Sequence, residues 1–190
     1  MLFNSFEYLI FLPIVFLLYW NVCKSGRSKN LLLIAASYVF YGWWNIRLLG
    51  LIFLVSIVAF IGGVVVASKK TTPFWRRATL TIVIILNIAT LVAFKYYGFF
   101  ASSFVRVLNV VGFTPDIPTL NLILPVGISF YSFQAISYVI DVYRGTTSAT
   151  KDLHAFLVYI SFFPQLVAGP IERASNILPQ FLRDKRPFSY

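Results

Sequence analysis

The side chains best placed to do chemistry lie between Leu124 and Arg173, where polar residues, prolines and glycines interrupt sequence apolar enough for a membrane. Within Leu124–Tyr143, Gly127, Tyr131, Gln134, Tyr138 and Asp141 recur at steps of three and four. At about 100° per residue they fall on one helical face, so a polar stripe runs down an otherwise apolar helix. Polar groups inside a bilayer face a bundle interior or a wet cavity. The stripe is therefore either a hydrogen-bonded seam between helices or the wall of a cavity. Asp141 and Arg144 can pair across one turn, and with Tyr143 and Gly145 they form the ending DVYRG. At a membrane edge such a pair contributes ~0–1 kcal/mol and by itself signals no function.

The second half of the stretch has a different character. Ala155–Ala168 is apolar but only 14 residues long, or ~21 Å of helix, which suits a buried or re-entrant segment better than a span. Pro164 removes one backbone donor and leaves the carbonyl of Ile160 without its helical partner. Gln165 follows, Gly169 and Pro170 end the run, and Glu172 and Arg173 set opposite charges side by side. Non-helical backbone at membrane depth survives only when buried in protein or lining a water-filled cavity. Residues 164–173 are thus the leading candidate for a functional wall. His154, the sole histidine, could serve as a general base near neutral pH, but with no evident partner nearby it reads as a solvated helix-start residue. Cys23 is the sole cysteine, so no internal disulfide can form, and no Cys/His cluster suggests a metal. A thiol at the membrane edge would suit palmitoylation; the plainer reading is a free thiol.

These residues need a scaffold, and composition specifies its class. The chain is 59% hydrophobic and 12% charged over 190 residues, with a mean hydropathy of +0.81. Soluble domains are about half apolar and about a quarter charged. Continuously apolar runs long enough for a ~30 Å core indicate an all-α, polytopic helical membrane protein, not an alternating β-barrel. Five to six membrane-embedded helices are expected, together with amphipathic interfacial and broken or re-entrant helices, in a single membrane domain over residues 1–190. The net charge of +10 does not point to nucleic acid, because the cations cluster between spans, where the lipid bilayer's anionic headgroups are the natural partner.

Along the chain, Leu2–Val22 reads as a first, retained span, kinked at Pro13 and lacking the basic start and small-residue cleavage site of a signal peptide. Asn30–Trp44 is a second span, ending in the aromatic belt Tyr38, Tyr41, Trp43 and Trp44. Leu48–Ala67 is a third, with Ala59, Gly63 and Ala67 on one close-packing face. Lys69–Arg77 is a basic loop around Pro73, and Ala78–Phe94 a fourth span, whose Asn87 should face a neighbouring helix. Tyr96–Phe113, with Arg106 and Asn109 a turn apart, reads as an amphipathic interfacial helix, Thr114–Asn121 as a loop, and Ile177–Arg186 as an amphipathic cytoplasmic segment broken at Pro179. The basic loops at 24–29 and 69–77 belong in the cytoplasm, which puts the N-terminus outside; Lys95 then lies at the outer face, where it can snorkel.

The motif PVGISFYSFQAISYVIDVYRG (Pro125–Gly145) followed by FFPQLVAGPIER (Phe162–Arg173) resembles the membrane-bound O-acyltransferases. The similarity is to the branch that contains alginate O-acetyltransferases and the protein of D-alanine transfer to teichoic acid. NSFEYLIFLPIVFLLYW (Asn4–Trp20) and SYVFYGWWN (Ser37–Asn45) resemble the alginate-type members, so the resemblance runs along essentially the whole chain.

It implies an all-helical enzyme of the bacterial plasma (inner) membrane. Such an enzyme carries an acyl group, acetyl by default, from a cytoplasmic thioester (acyl-CoA or acyl carrier protein, a substrate and not a bound cofactor) towards a cell-envelope polysaccharide hydroxyl. Periplasmic or extracellular acetylation proteins are the implied partners. Catalysis in the family centres on a histidine in a hydrophobic segment further along than Tyr190. His154 does not match it, so the resemblance implies no catalytic residue here, and a chain that reads as the N-terminal part of a longer enzyme, inactive alone. Tyr131, Gln134, Tyr138, Asp141 and Arg144, with Pro164, Gln165, Gly169, Pro170, Glu172 and Arg173, would shape a funnel and its cytoplasmic mouth. The alternatives are a catalytically inactive scaffold and, since broken helices also build transport sites, a small transporter.

Overall fold

A computed structural model describes residues 3–110, 127–166, 169–170 and 172–182. All regular elements among them are helices: α1 (Phe6–Leu17), α2 (Gly26–Gly42), α3 (Leu49–Ala67), α4 (Pro73–Val110), α5 (Ile128–Arg144), α6 (Leu153–Ser161), α7 (Phe163–Leu166) and α8 (Ala174–Leu182). Two stretches of these are long and apolar enough to cross a membrane, Ile46–Ala67 and Pro73–Tyr96. Phe6–Val22 and Leu153–Leu166 are apolar but shorter. The loop expected at Thr114–Asn121 and the Pro125 entry to α5 lie outside the described residues.

The helix starts follow local chemistry. Ser5 caps α1 by accepting from the Tyr8 N–H, and Ser25 and Ser28 form a reciprocal capping box that starts α2 at Gly26, one turn before the expected span. Pro13 sits inside α1 without ending it. The irregularity comes later, as a π-helical turn over Leu18–Val22. Pro73, expected within a loop, instead opens α4, where its missing N–H costs nothing. Arg76 in that first turn donates from Nε to the Val66 carbonyl at 2.8 Å, satisfying an orphan acceptor at the end of α3. The expected separate interfacial helix at Tyr96–Phe113 is corrected. α4 runs unbroken for 38 residues through Arg106 and Asn109, because no proline or turn signal interrupts it after Pro73.

α3 is the central post, packing against α4, α5 and α6, while α6 also packs against α2 and α8. The small-residue face of α3 is used, with one change of membership. Ala59 and Gly63 are buried but Ala67 is exposed, and Gly62 takes the third place. A Cβ on Gly63 would come within 2.5 Å of the Tyr138 ring, and one on Gly62 within 2.5 Å of Val83, so both glycines set helix separation. Asn87 is buried as expected, but its amide donates to Val83 in its own helix and not to a neighbour. Its carbonyl oxygen has no partner.

DVYRG proves to be a helix stop. Gly145 adopts φ +77°, its N–H meets the Val142 carbonyl, and the Thr146 N–H meets that of Asp141, the paired bonds of a left-handed C-terminal cap. Asp141 is half-buried, Arg144 is exposed, and no ion pair joins them. Pro179 is likewise corrected: it lies within α8, whose buried Ala174, Leu178 and Phe181 recur at helical spacing.

Candidate functional groove

The polar stripe of α5 is turned inward. Tyr131 and Tyr138 are fully buried and Gln134 is 4% exposed. Gln134 Nε2 donates to the Tyr159 carbonyl of α6 at 2.8 Å, and the Tyr138 hydroxyl accepts from the Thr150 N–H at 3.2 Å. Of the two readings open at the sequence level, these two residues make seam contacts. Gln134→Leu keeps the volume but leaves the Tyr159 carbonyl without its donor. It should lower stability by ~1–2 kcal/mol, read as a lowered unfolding temperature in detergent micelles; an unchanged temperature would remove the seam.

The short apolar segment breaks at Phe162, two residues before Pro164. α6 ends at Ser161, and Phe162 takes φ −54°, ψ 107°. Pro164 has no N–H for the Ile160 carbonyl, so the α6 ladder cannot continue through it and the chain resets into the short α7. The Phe163 N–H freed by the break is met by the Ser37 hydroxyl of α2 at 3.2 Å, and Gln165 and Leu166 N–H groups both bond the Phe162 carbonyl. The broken backbone is thus held within the protein. Gln165 reaches forward, Nε2 to the Pro170 carbonyl at 2.8 Å, and Gly169 N–H returns to the Gln165 carbonyl, which folds the turn back on α7.

Beside this break opens a groove of about 930 Å³. Its floor is Phe162, Phe163 and Pro164. One wall is Leu12, Val15 and Phe16 of α1 with Tyr19 and Trp20 of the π-helical turn, and Leu33 of α2 closes its back. The opposite wall is Glu172 with Asn176, Ile177, Gln180 and Phe181 of α8. Aromatic contacts hold the frame: Phe162 to Phe181 at 5.5 Å and Phe11 to Phe163 at 5.4 Å between ring centres. The carboxamides and the carboxylate lie on the α8 side, where Asn176 Nδ2 donates to Glu172 Oε2 at 3.4 Å and Gln180 Nε2 to the Asn176 carbonyl at 3.2 Å.

Of the residues singled out in the sequence, Pro164 and Glu172 line this groove. Gln165, Gly169 and Pro170 support its floor from behind through the bonds given above. Arg173 is exposed. Tyr131, Gln134, Tyr138, Asp141 and Arg144 do not line it. The aromatic wall and the amides of α8 were missed; the run LLYW and the helical spacing of Ala174, Leu178 and Phe181 were the signals available. His154 does have a neighbour after all. Asp152 caps α6 by accepting from the His154 and Ala155 N–H groups, and its Oδ1 lies 3.6 Å from His154 Nδ1. The histidine is a helix-start residue outside the groove. No cluster able to hold a metal occurs among the described residues.

This chain is 38% identical over 182 residues to the probable alginate O-acetylase AlgI of Azotobacter vinelandii, an alignment covering 95% of the chain and 36% of that relative. The corresponding protein of Pseudomonas putida is 40% identical, with 95% of the chain and 37% of the relative covered. The peptidoglycan O-acetyltransferase of Helicobacter pylori is 34% identical, covering 97% of the chain and 39% of the relative. The chain thus spans little more than a third of the length of these curated relatives. No protein-family model and no solved structure matches. The resemblance read from the motifs is shown: nearly the whole chain is homologous to part of proteins named as O-acetylating enzymes.

Proposed function

We propose, from this homology to part of the alginate and peptidoglycan O-acetylating enzymes, that the chain builds the donor side of a membrane O-acyltransferase. The observation that carries the reading is the groove beside the Phe162 break, largely apolar and rimmed by two carboxamides and one carboxylate. An acyl thioester on a pantetheine arm has the matching pattern: a small apolar acyl group, then amides that exchange hydrogen bonds with Asn176 and Gln180. In the reaction, an acceptor hydroxyl oxygen attacks the thioester carbonyl. A carbon–oxygen bond forms, the carbon–sulfur bond breaks, the hydroxyl proton passes to a base and the thiolate departs. The apolar floor and α1 wall would limit water at a seated thioester and so slow hydrolysis, and the resemblance, not the groove, assigns the base to a histidine-bearing segment further along.

The same reading makes the chain a multi-pass protein of the bacterial inner membrane with five to six embedded helices, its N-terminus outside and the 24–29 loop in the cytoplasm. The transferred group is acetyl, the acceptor an envelope polysaccharide, and the partners are periplasmic or extracellular acetylation proteins. Gln134 and Tyr138 hold the α5–α6 seam that keeps the floor in place, Tyr131 packs against Tyr41 of α2, and none of the three contacts the donor.

The test is transfer of labelled acetate from an acetyl thioester to envelope polysaccharide in membranes holding this chain, with and without a segment of a longer relative that carries the intramembrane histidine. Transfer in the combined membranes alone is expected. Transfer by residues 1–190 alone would overturn the assignment of the base elsewhere. No transfer in either would favour the inactive scaffold.

A further inference from the structure

The α2 start and the aromatic wall of the groove share one unusual side chain, Lys29. It is 4% exposed. Its ammonium lies 4.9 Å from the ring centres of both Tyr19 and Trp20, two of the aromatics of the groove wall. Among the described residues no carboxylate comes within ion-pair distance of it, and it donates no hydrogen bond. Cation–π contacts offset part of the cost of burying an ammonium, but with no anion beside it among the described residues the cation is far from balanced.

The surroundings add to the imbalance. The first turn of α2 holds Arg27 and Lys29 and no acid, with Lys24 just before it. Cations there oppose the positive end of the helix dipole. The Ser25–Ser28 capping box satisfies the Ser28 N–H, which leaves the Gly26 and Arg27 N–H groups directed outward. Charge, dipole and free donors all call for an anion at the groove end formed by Tyr19 and Trp20.

We infer that this corner is a phosphate site, with Lys29 as its inner cation and Arg27, Lys24 and the first-turn N–H groups as its outer donors. The inference rests on the groove being the thioester seat. Coenzyme A and acyl carrier protein share a pantetheine arm that ends in a phosphate, so an arm lying in the groove with its thioester at the floor presents that phosphate to Lys29. Anionic phospholipid carries the same chemistry.

The experiment measures binding of acetyl-coenzyme A and of phosphate-free S-acetylpantetheine to the full chain in phosphatidylcholine nanodiscs. Acetyl-coenzyme A should bind about tenfold or more tightly than the phosphate-free donor. Lys29→Met should abolish that preference and Lys29→Arg retain it. Because Lys29 is buried, the exposed pair Lys24→Gln with Arg27→Gln serves as a second test and should reduce the preference without disturbing the fold.

Nanodiscs containing phosphatidylglycerol separate the two phosphate sources. An unchanged preference assigns the site to the donor. A preference lost there, together with lipid retention that depends on Lys29, overturns the donor assignment in favour of a headgroup. Equal binding of the two donors by the wild-type chain, or a preference that survives both Lys29→Met and the double substitution, overturns the phosphate site while leaving the groove intact. Failure of both donors to bind would remove the groove reading on which the site rests.

Discussion

Gly127→Ala is expected to cost about 3 kcal/mol or more of stability, against about 1 kcal/mol for Gly145→Ala. The two glycines share φ +77°, so the left-handed penalty for a side chain is the same in both. Their surroundings differ. A Cβ on Gly127 would stand 2.5 Å from the Leu166 carbonyl oxygen, whereas nothing lies within 4 Å of one on Gly145. A backbone carbonyl cannot swing aside as a side chain can, so Gly127→Ala must push α7 away from the start of α5. That movement reaches the groove, because α7 carries Pro164 of its floor. Unfolding temperatures of the two variants in the same micelles measure the difference. Equal losses would show that the α5–α7 contact does not constrain the floor.

Asn176→Trp is expected to weaken thioester binding by more than tenfold with stability held within about 0.5 kcal/mol. Asn176 is exposed on α8 and lines the groove, so an indole there fills space that a donor would need without displacing any core side chain. Ser175 is also exposed but does not line the groove, and Ser175→Trp should leave binding unchanged. Equal effects from the two tryptophans would point to damage to α8 and away from occlusion.

Much of the helical scaffold was legible because its signals are local. Apolar runs and the Gly145 ending of DVYRG act within a turn or two; the Ser25 cap is equally local, but it was missed, so α2 was expected to start only at Asn30. α4 was divided wrongly because Arg106 and Asn109 lower the hydropathy of Tyr96–Phe113, while the backbone continues for want of a breaker. The stripe on α5 was visible from its spacing, but whether Gln134 met water or Tyr159 depended on a helix 25 residues away. The groove was legible only at Pro164 and Glu172. Its other walls come from α1, the π-helical turn, α2 and α8, and no local pattern says that Trp20 and Gln180 frame the same space. Lys29 reads as an ordinary loop cation until the fold buries it between two rings.

The central claim is that the thioester donor sits in the groove beside the Phe162 break. A pantetheine thioester analogue carrying a small photoreactive acyl group, activated in membranes and mapped by peptide mass spectrometry, tests it directly. Labelling is predicted on Phe16, Trp20, Phe162 and Asn176, reduced by excess acetyl thioester and by Asn176→Trp. Competable labelling confined to α5 around Tyr131 and Tyr138, with the groove residues unmarked, would contradict the account.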